Sequence, residues 1–193
     1  RYDASNSLTE KGLRFTMPAM ALYDDALVRY ANKPAVGRAL TPIHSIVDPL
    51  IPLHVPSDLS LELQCAKPTK AVIVRLDSDG TVASALGGKY ADGWITTQVK
   101  AFGSYTVMLD TVAPVIVDLR ADMKGRQSFS IKIADNLAGI DTWTGTLNGK
   151  WILLEYDPKT KLLKHTFDTH STAPGEKEFK LVVTDSRGNT TSY

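Results

Sequence analysis

The sequence predicts an all-β chain made of two tandem β-sandwich domains, on three observations. Helical periodicity is scarce, short alternating or β-branched runs recur along the whole length, and turn signals built on Gly, Pro, Asn and Asp separate them. Residues 20–32 are the one helical competitor, because Leu22, Ala26, Leu27 and Tyr30 keep a rough helical spacing. Pro18 precedes that stretch, and residues 26–30 also alternate, so the reading is a turn at Tyr23-Asp24-Asp25 followed by a strand. Pro42, Pro49, Pro52 and Pro56 then interrupt the chain. Each lacks an N–H for a ladder, which predicts edges and short pieces rather than a long strand.

Four further runs in the first half read as strands: residues 59–63, 71–76, 94–99 and 105–109. Asp79-Gly80 and Asp92-Gly93 suit tight turns, since both residue types accept positive φ at low cost. At Asp110-Thr111-Val112-Ala113-Pro114 the pattern restarts, and about seven short strand candidates follow, as an immunoglobulin-like sandwich requires. The predicted domains are residues 1–111 and 112–193. In the second, Phe129, Ile131 and Ile133 alternate with Ser128, Ser130 and Lys132, and Phe179, Leu181 and Val183 alternate with Lys180, Val182 and Thr184. Asn148-Gly149 is the strongest short hairpin signal, and turns at Asp157-Pro158 and Asp185-Ser186-Arg187-Gly188-Asn189 follow it.

Composition bounds the function. There are 22 Lys+Arg against 21 Asp+Glu, balanced in both halves, which argues against a nucleic-acid partner. Hydrophobic residues at 43% suffice for a packed core, and no apolar run approaches the roughly 20 residues of a transmembrane helix. The single cysteine, Cys65, excludes an internal disulfide and reads as a small apolar filler. The chain opens Arg1-Tyr2-Asp3, without an initiator Met or an apolar leader, which places any export signal upstream.

Few residues nominate chemistry. His44 and Asp48 have a spacing that can serve zinc, but His54 is separated from them by two prolines, and His165 and His170 fall in the other domain. On a strand, residues four apart lie about 13 Å from each other, too far to share an ion. Loop placement is therefore expected for His44 and Asp48. Asp135 and Asn136, with Asp185 and Asn189, put oxygen donors of the calcium type on loops, where the competing role is to fix turns through side-chain to backbone bonds. Among the aromatics, Trp94 and Trp143 are candidates for a surface on which sugar rings stack, with core packing as the alternative. Trp151 and Tyr156 have opposite parity, so at most one of them points inward. Nucleophile elbows, phosphate loops and zinc-protease motifs are absent from the sequence, so no catalytic residue, resident metal or cofactor is assigned.

The first half resembles ZU-type sandwiches of the ankyrin and netrin-receptor kind. Residues 15–25, with Pro18-Ala19-Met20-Ala21-Leu22, look like their strand, turn and following strand, and residues 40–43 and 49–61 look like a second block. The second half resembles the C-terminal region of lysostaphin-like (LytM-type) zinc peptidases exported by Bacteroidetes bacteria. The likeness rests on Asp110-Thr111-Val112-Ala113-Pro114, Asp135-Asn136-Leu137-Ala138-Gly139-Ile140, residues 148–157 and Asp185-Ser186-Arg187-Gly188-Asn189. In that family the zinc site lies in a separate upstream domain, in a His-x-x-x-Asp followed much later by a His-x-His. His44 and Asp48 match only the first pattern, and the sequence contains no His-x-His, so no catalytic residue carries over.

The resemblance implies a non-catalytic accessory region of an exported cell-wall peptidase, in the periplasm or cell envelope. Its expected partners are an upstream catalytic domain of the same polypeptide and peptidoglycan or a surface glycan. The competing expectation is a free-standing adhesion or glycan-binding module.

Overall fold

A computed structural model describes residues 1–47, 51–117, 125–169, 171 and 175–193. The described chain divides into two compact units, Arg1–Asp110 and Thr111–Tyr193, each with its own apolar cluster.

In the first unit the strands are β1 (Asn6–Glu10), β2 (Leu13–Met17), β3 (Arg29–Lys33), β4 (Ile43–Val47), β5 (Pro52–Glu62), β6 (Ala71–Leu76), β7 (Val82–Gly87), β8 (Lys89–Ala91), β9 (Trp94–Ala101) and β10 (Gly103–Leu109). They form two five-stranded antiparallel sheets, ordered β1-β2-β5-β9-β8 and β3-β4-β10-β6-β7. Period-two alternation builds the core between them. Leu13, Phe15, Leu59, Leu61 and Ile95 come from one sheet and Ile46, Ile73, Tyr105 and Val107 from the other. Asp92 (φ 49°) and Gly93 (φ 82°) close the β8–β9 hairpin with the left-handed pair that a two-residue turn demands.

Two expectations change here. Strand β3 begins at Arg29 rather than Ala26. The prolines also do not reduce β5 to short pieces: it is the longest strand among the described residues, carrying Pro52 and Pro56. Its pairing with β9 skips from Pro52 to Ser57, so the interruption falls where the missing N–H groups would have been needed.

The second unit holds β11 (Val115–Val117), β12 (Ser128–Ala134), β13 (Ile140–Leu147), β14 (Lys150–Ile152), β15 (Glu155–Asp157), β16 (Leu162–Thr166), β17 (Phe179–Asp185) and β18 (Thr190–Ser192). Two four-stranded antiparallel sheets, β11-β12-β16-β15 and β14-β13-β17-β18, face each other in the strand order of an immunoglobulin-like sandwich. Eight strands are present among the described residues, one more than expected. The extra strand arises because residues 150–157 split into β14 and β15, which belong to different sheets. Asn148 (φ 49°) and Gly149 (φ 76°) turn the chain between β13 and β14, as the Asn-Gly signal predicts.

Candidate functional site

The change of sheet at Leu153 and Leu154 lies beside a concave surface of the second unit. Leu153 is exposed while Leu154 is buried in the core, so the backbone carbonyls of the crossover need partners inside the fold. Trp143 Nε1–H donates to Leu154 O at 2.9 Å, and His165 Nδ1 lies 2.9 Å from Leu153 O. A carbonyl only accepts, so that contact places an imidazole proton on Nδ1. His165 is 3% exposed, with its ring packed on both Phe129 and Phe167 at 5.4 Å from each, and Nε2 is buried without a hydrogen-bond partner.

Beside this crossover lies a groove of about 450 Å³. The β13–β14 hairpin forms one wall and supplies Lys150 and Trp151, while residues after β16 supply Asp168, Ser171 and Lys177, and His165 belongs to the lining. Trp151 is 67% exposed, because its neighbour Ile152 takes the inward position on this short strand. Asp168 Oδ1 accepts from both the Ser171 N–H (2.9 Å) and the Ser171 hydroxyl (2.8 Å), which fixes the turn. Among the described residues neither Lys150 nor Lys177 has an ion pair. The groove therefore combines an open indole face with two ammonium groups and one carboxylate on its lining.

Of the two roles weighed for Trp143, a stacking surface or packing, the arrangement gives it packing. Trp143 shares the inward parity of Gly145 and Leu147 on β13, packs against Tyr156 at 5.1 Å and uses its N–H on the backbone, so it is a packing residue. Burial first, and the adjacent Asp157 carboxylate second, push the Tyr156 phenol up from its usual range. Asp157 is itself held below the usual carboxylate range, first by the Thr160 hydroxyl and then by the Lys159 N–H.

The loop carboxylates serve as turn anchors. Asp135 Oδ2 accepts from the N–H groups of Leu137 (2.9 Å) and Gly139 (2.8 Å). Asp185 Oδ1 accepts from Arg187 N (2.7 Å) and Asn189 N (2.9 Å), and its Oδ2 accepts from Asn189 Nδ2 (2.6 Å). Oxygens of Asp135 and Asp185 approach within 4.8 Å, Asp135 Oδ1 is buried without a hydrogen-bond partner, and Asn136 is exposed.

A family model described as a Zu5-like domain matches residues 1–110. The chain belongs to the Zu5-like domain family. No curated protein sequence matches it.

In the Zu5-like domain the expected placement of His44 on a loop or surface is overturned. It lies on β4 and is wholly buried, sharing its face with Ile46. Its Nδ1 is 2.9 Å from the Tyr30 hydroxyl, and burial pushes the imidazole down from its ordinary value. The alternation of His44 and Ile46 against Ser45 is the signal that marks it as inward-facing. Asp48 and His170 lie outside the described residues. His54 pairs with the Tyr23 hydroxyl at 2.9 Å, at a different place in the Zu5-like domain. Trp94 sits on the outer face of its sheet, with the Arg14 guanidinium 3.9 Å from the ring centroid, so one indole face is already covered by a cation. Cys65 is half-buried against the core, as a filler would be. Among the described residues no helix is long and apolar enough to cross a membrane.

Proposed function

We propose that this chain is a non-catalytic accessory region of an exported cell-wall zinc metallopeptidase, positioning a catalytic domain of the same polypeptide on peptidoglycan in the periplasm or envelope. Rigid modules act in this way by raising effective concentration at a surface, without new chemistry. The observation that carries the reading is the use made of the motif residues shared with the peptidase C-terminal region: Asp135 and Asp185 hold turns through five hydrogen bonds. Those motifs thus act as architecture, and membership of the first unit in the Zu5-like family supports the same modular role. Incubation of the chain with purified peptidoglycan tests it. Pelleting with the sacculi without release of muropeptides is expected. Muropeptide release overturns the non-catalytic role, and failure to pellet overturns positioning on the wall.

The second reading, a free-standing adhesion or glycan-binding module, is favoured by one specific observation, the 67% exposure of Trp151. Binding to an envelope glycan by a mature protein that carries no peptidase domain would favour it over the accessory role.

A further inference from the structure

We infer that the groove beside Trp151 is a binding site for an acidic saccharide, a sugar that carries a carboxylate. The inference goes beyond the accessory reading and stands whether or not a peptidase domain accompanies the chain.

Two features of the groove select this ligand class. The first is the indole of Trp151, held outward by the parity of a three-residue strand whose next residue, Ile152, is anchored in the core. A large rigid aromatic face in the open is costly to leave against water, and it matches the apolar C–H face of a pyranose ring. Trp143 and Trp94 lack this freedom: one is packed and bonded to Leu154 O, the other is stacked by Arg14.

The second feature is charge. Lys150 and Lys177 line the groove, and among the described residues neither has an ion pair. The one carboxylate on the lining, Asp168, accepts from the backbone and hydroxyl of Ser171 and keeps its charge, so two ammonium groups stand against one carboxylate. The unbalanced charge is positive, and its complement is an anion.

A small inorganic anion supplies no ring to stack, whereas an acidic saccharide supplies a carboxylate and a C–H face together. The volume, about 450 Å³, lies in the usual range for small-ligand sites.

Isothermal titration calorimetry on the full chain tests the site with three probes: a galacturonate trisaccharide, a neutral glucose trisaccharide and polyglutamate. The galacturonate is expected to bind roughly tenfold or more tightly than either of the others. Trp151→Ala is expected to weaken it by roughly tenfold or more while leaving the melting temperature unchanged, because the side chain lies outside the core. The double variant Lys150→Gln/Lys177→Gln is expected to abolish the preference for the acidic over the neutral sugar. Equal affinity for the neutral sugar, equal affinity for polyglutamate, undiminished binding by Trp151→Ala, or no binding of millimolar galacturonate each overturns the proposal. None of these results bears on whether the chain accompanies a peptidase, which the sacculus experiment decides.

Discussion

The His165 imidazole and the Leu153 carbonyl are joined across 2.9 Å, and one residue further on the Trp143 indole N–H meets Leu154 O at the same distance. Two side chains from different sheets, β16 and β13, thus hold consecutive carbonyls at the point where the chain passes from β14 to β15. This clamp keeps Trp151 and His165 on the lining of one groove.

Trp143→Phe is expected to destabilise the second unit by about 1–3 kcal/mol, since the Leu154 carbonyl loses its donor while an aromatic ring still faces Tyr156. Denaturant unfolding of the full chain gives the loss. Hydrogen exchange should confine it to residues 111–193. An unchanged midpoint would mean that solvent replaces the indole at that carbonyl.

Gly145 leaves room for the same crossover. A Cβ there would collide with Leu154 Cδ1 and stand 3.3 Å from its Cγ and 3.5 Å from Ile152 Cγ1. Gly145→Ala is therefore expected to cost about 1–3 kcal/mol through overpacking, although the backbone at this position is not left-handed. Shortening the neighbour should relieve the clash, so Gly145→Ala combined with Leu154→Ala is expected to be less destabilised than the sum of the two single variants. Strict additivity in a double-mutant cycle would refute the contact.

Asp185 is a fully buried turn anchor, and its three acceptor bonds serve two backbone N–H groups and the Asn189 amide. Asp185→Ala leaves these donors without an acceptor and is expected to cost about 2–4 kcal/mol. Asp185→Asn keeps one carbonyl oxygen in place and should retain part of that stability. The order wild type, Asn, Ala in thermal melting is the check. If the role were only to supply charge, the two variants would be equally damaged.

How much of this was legible in the sequence follows from how local each determinant is. Asn148-Gly149 and Asp92-Gly93 were readable because a two-residue hairpin needs left-handed φ at both positions, and these residues tolerate it. The run from Ala71 to Leu76 was readable because β-branched residues buried on a central strand leave little else to form. Strand β5 was obscured by its prolines, since continuity across Pro52 and Pro56 depends on a register break against β9 that only the partner strand reveals. His44 carried its signal in the alternation with Ile46, but weighing only its spacing to Asp48, and rejecting zinc on it, left a loop or surface placement as the expectation. The groove was not legible at all. Its lining joins the β13–β14 hairpin to Asp168, Ser171 and Lys177, and no local pattern encodes their meeting.

His44 also makes the first unit sensitive to acid. Its wholly buried ring is stacked on Tyr30 with centroids 6.1 Å apart, Nδ1 faces the Tyr30 hydroxyl, and Nε2 has no partner. Burial lowers the folded-state pKa below the unfolded value of about 6.5. Below that value the unfolded chain takes up a proton that the folded chain refuses, so the neutral imidazole's contribution is fully present above about pH 6.5 and declines as the pH falls, by at most about 1.4 kcal/mol per pH unit, until the folded pKa is reached. His44→Phe removes the titration. The variant is expected to start less stable at pH 7.5, having lost the bond to Tyr30, and to lose less stability than wild type between about pH 6.5 and 5. Chemical denaturation of both proteins across that range gives the difference curve, in which carboxylates common to both cancel. Parallel pH profiles would show that the buried imidazole accepts its proton without cost, and the link between burial at Tyr30 and acid sensitivity would fail.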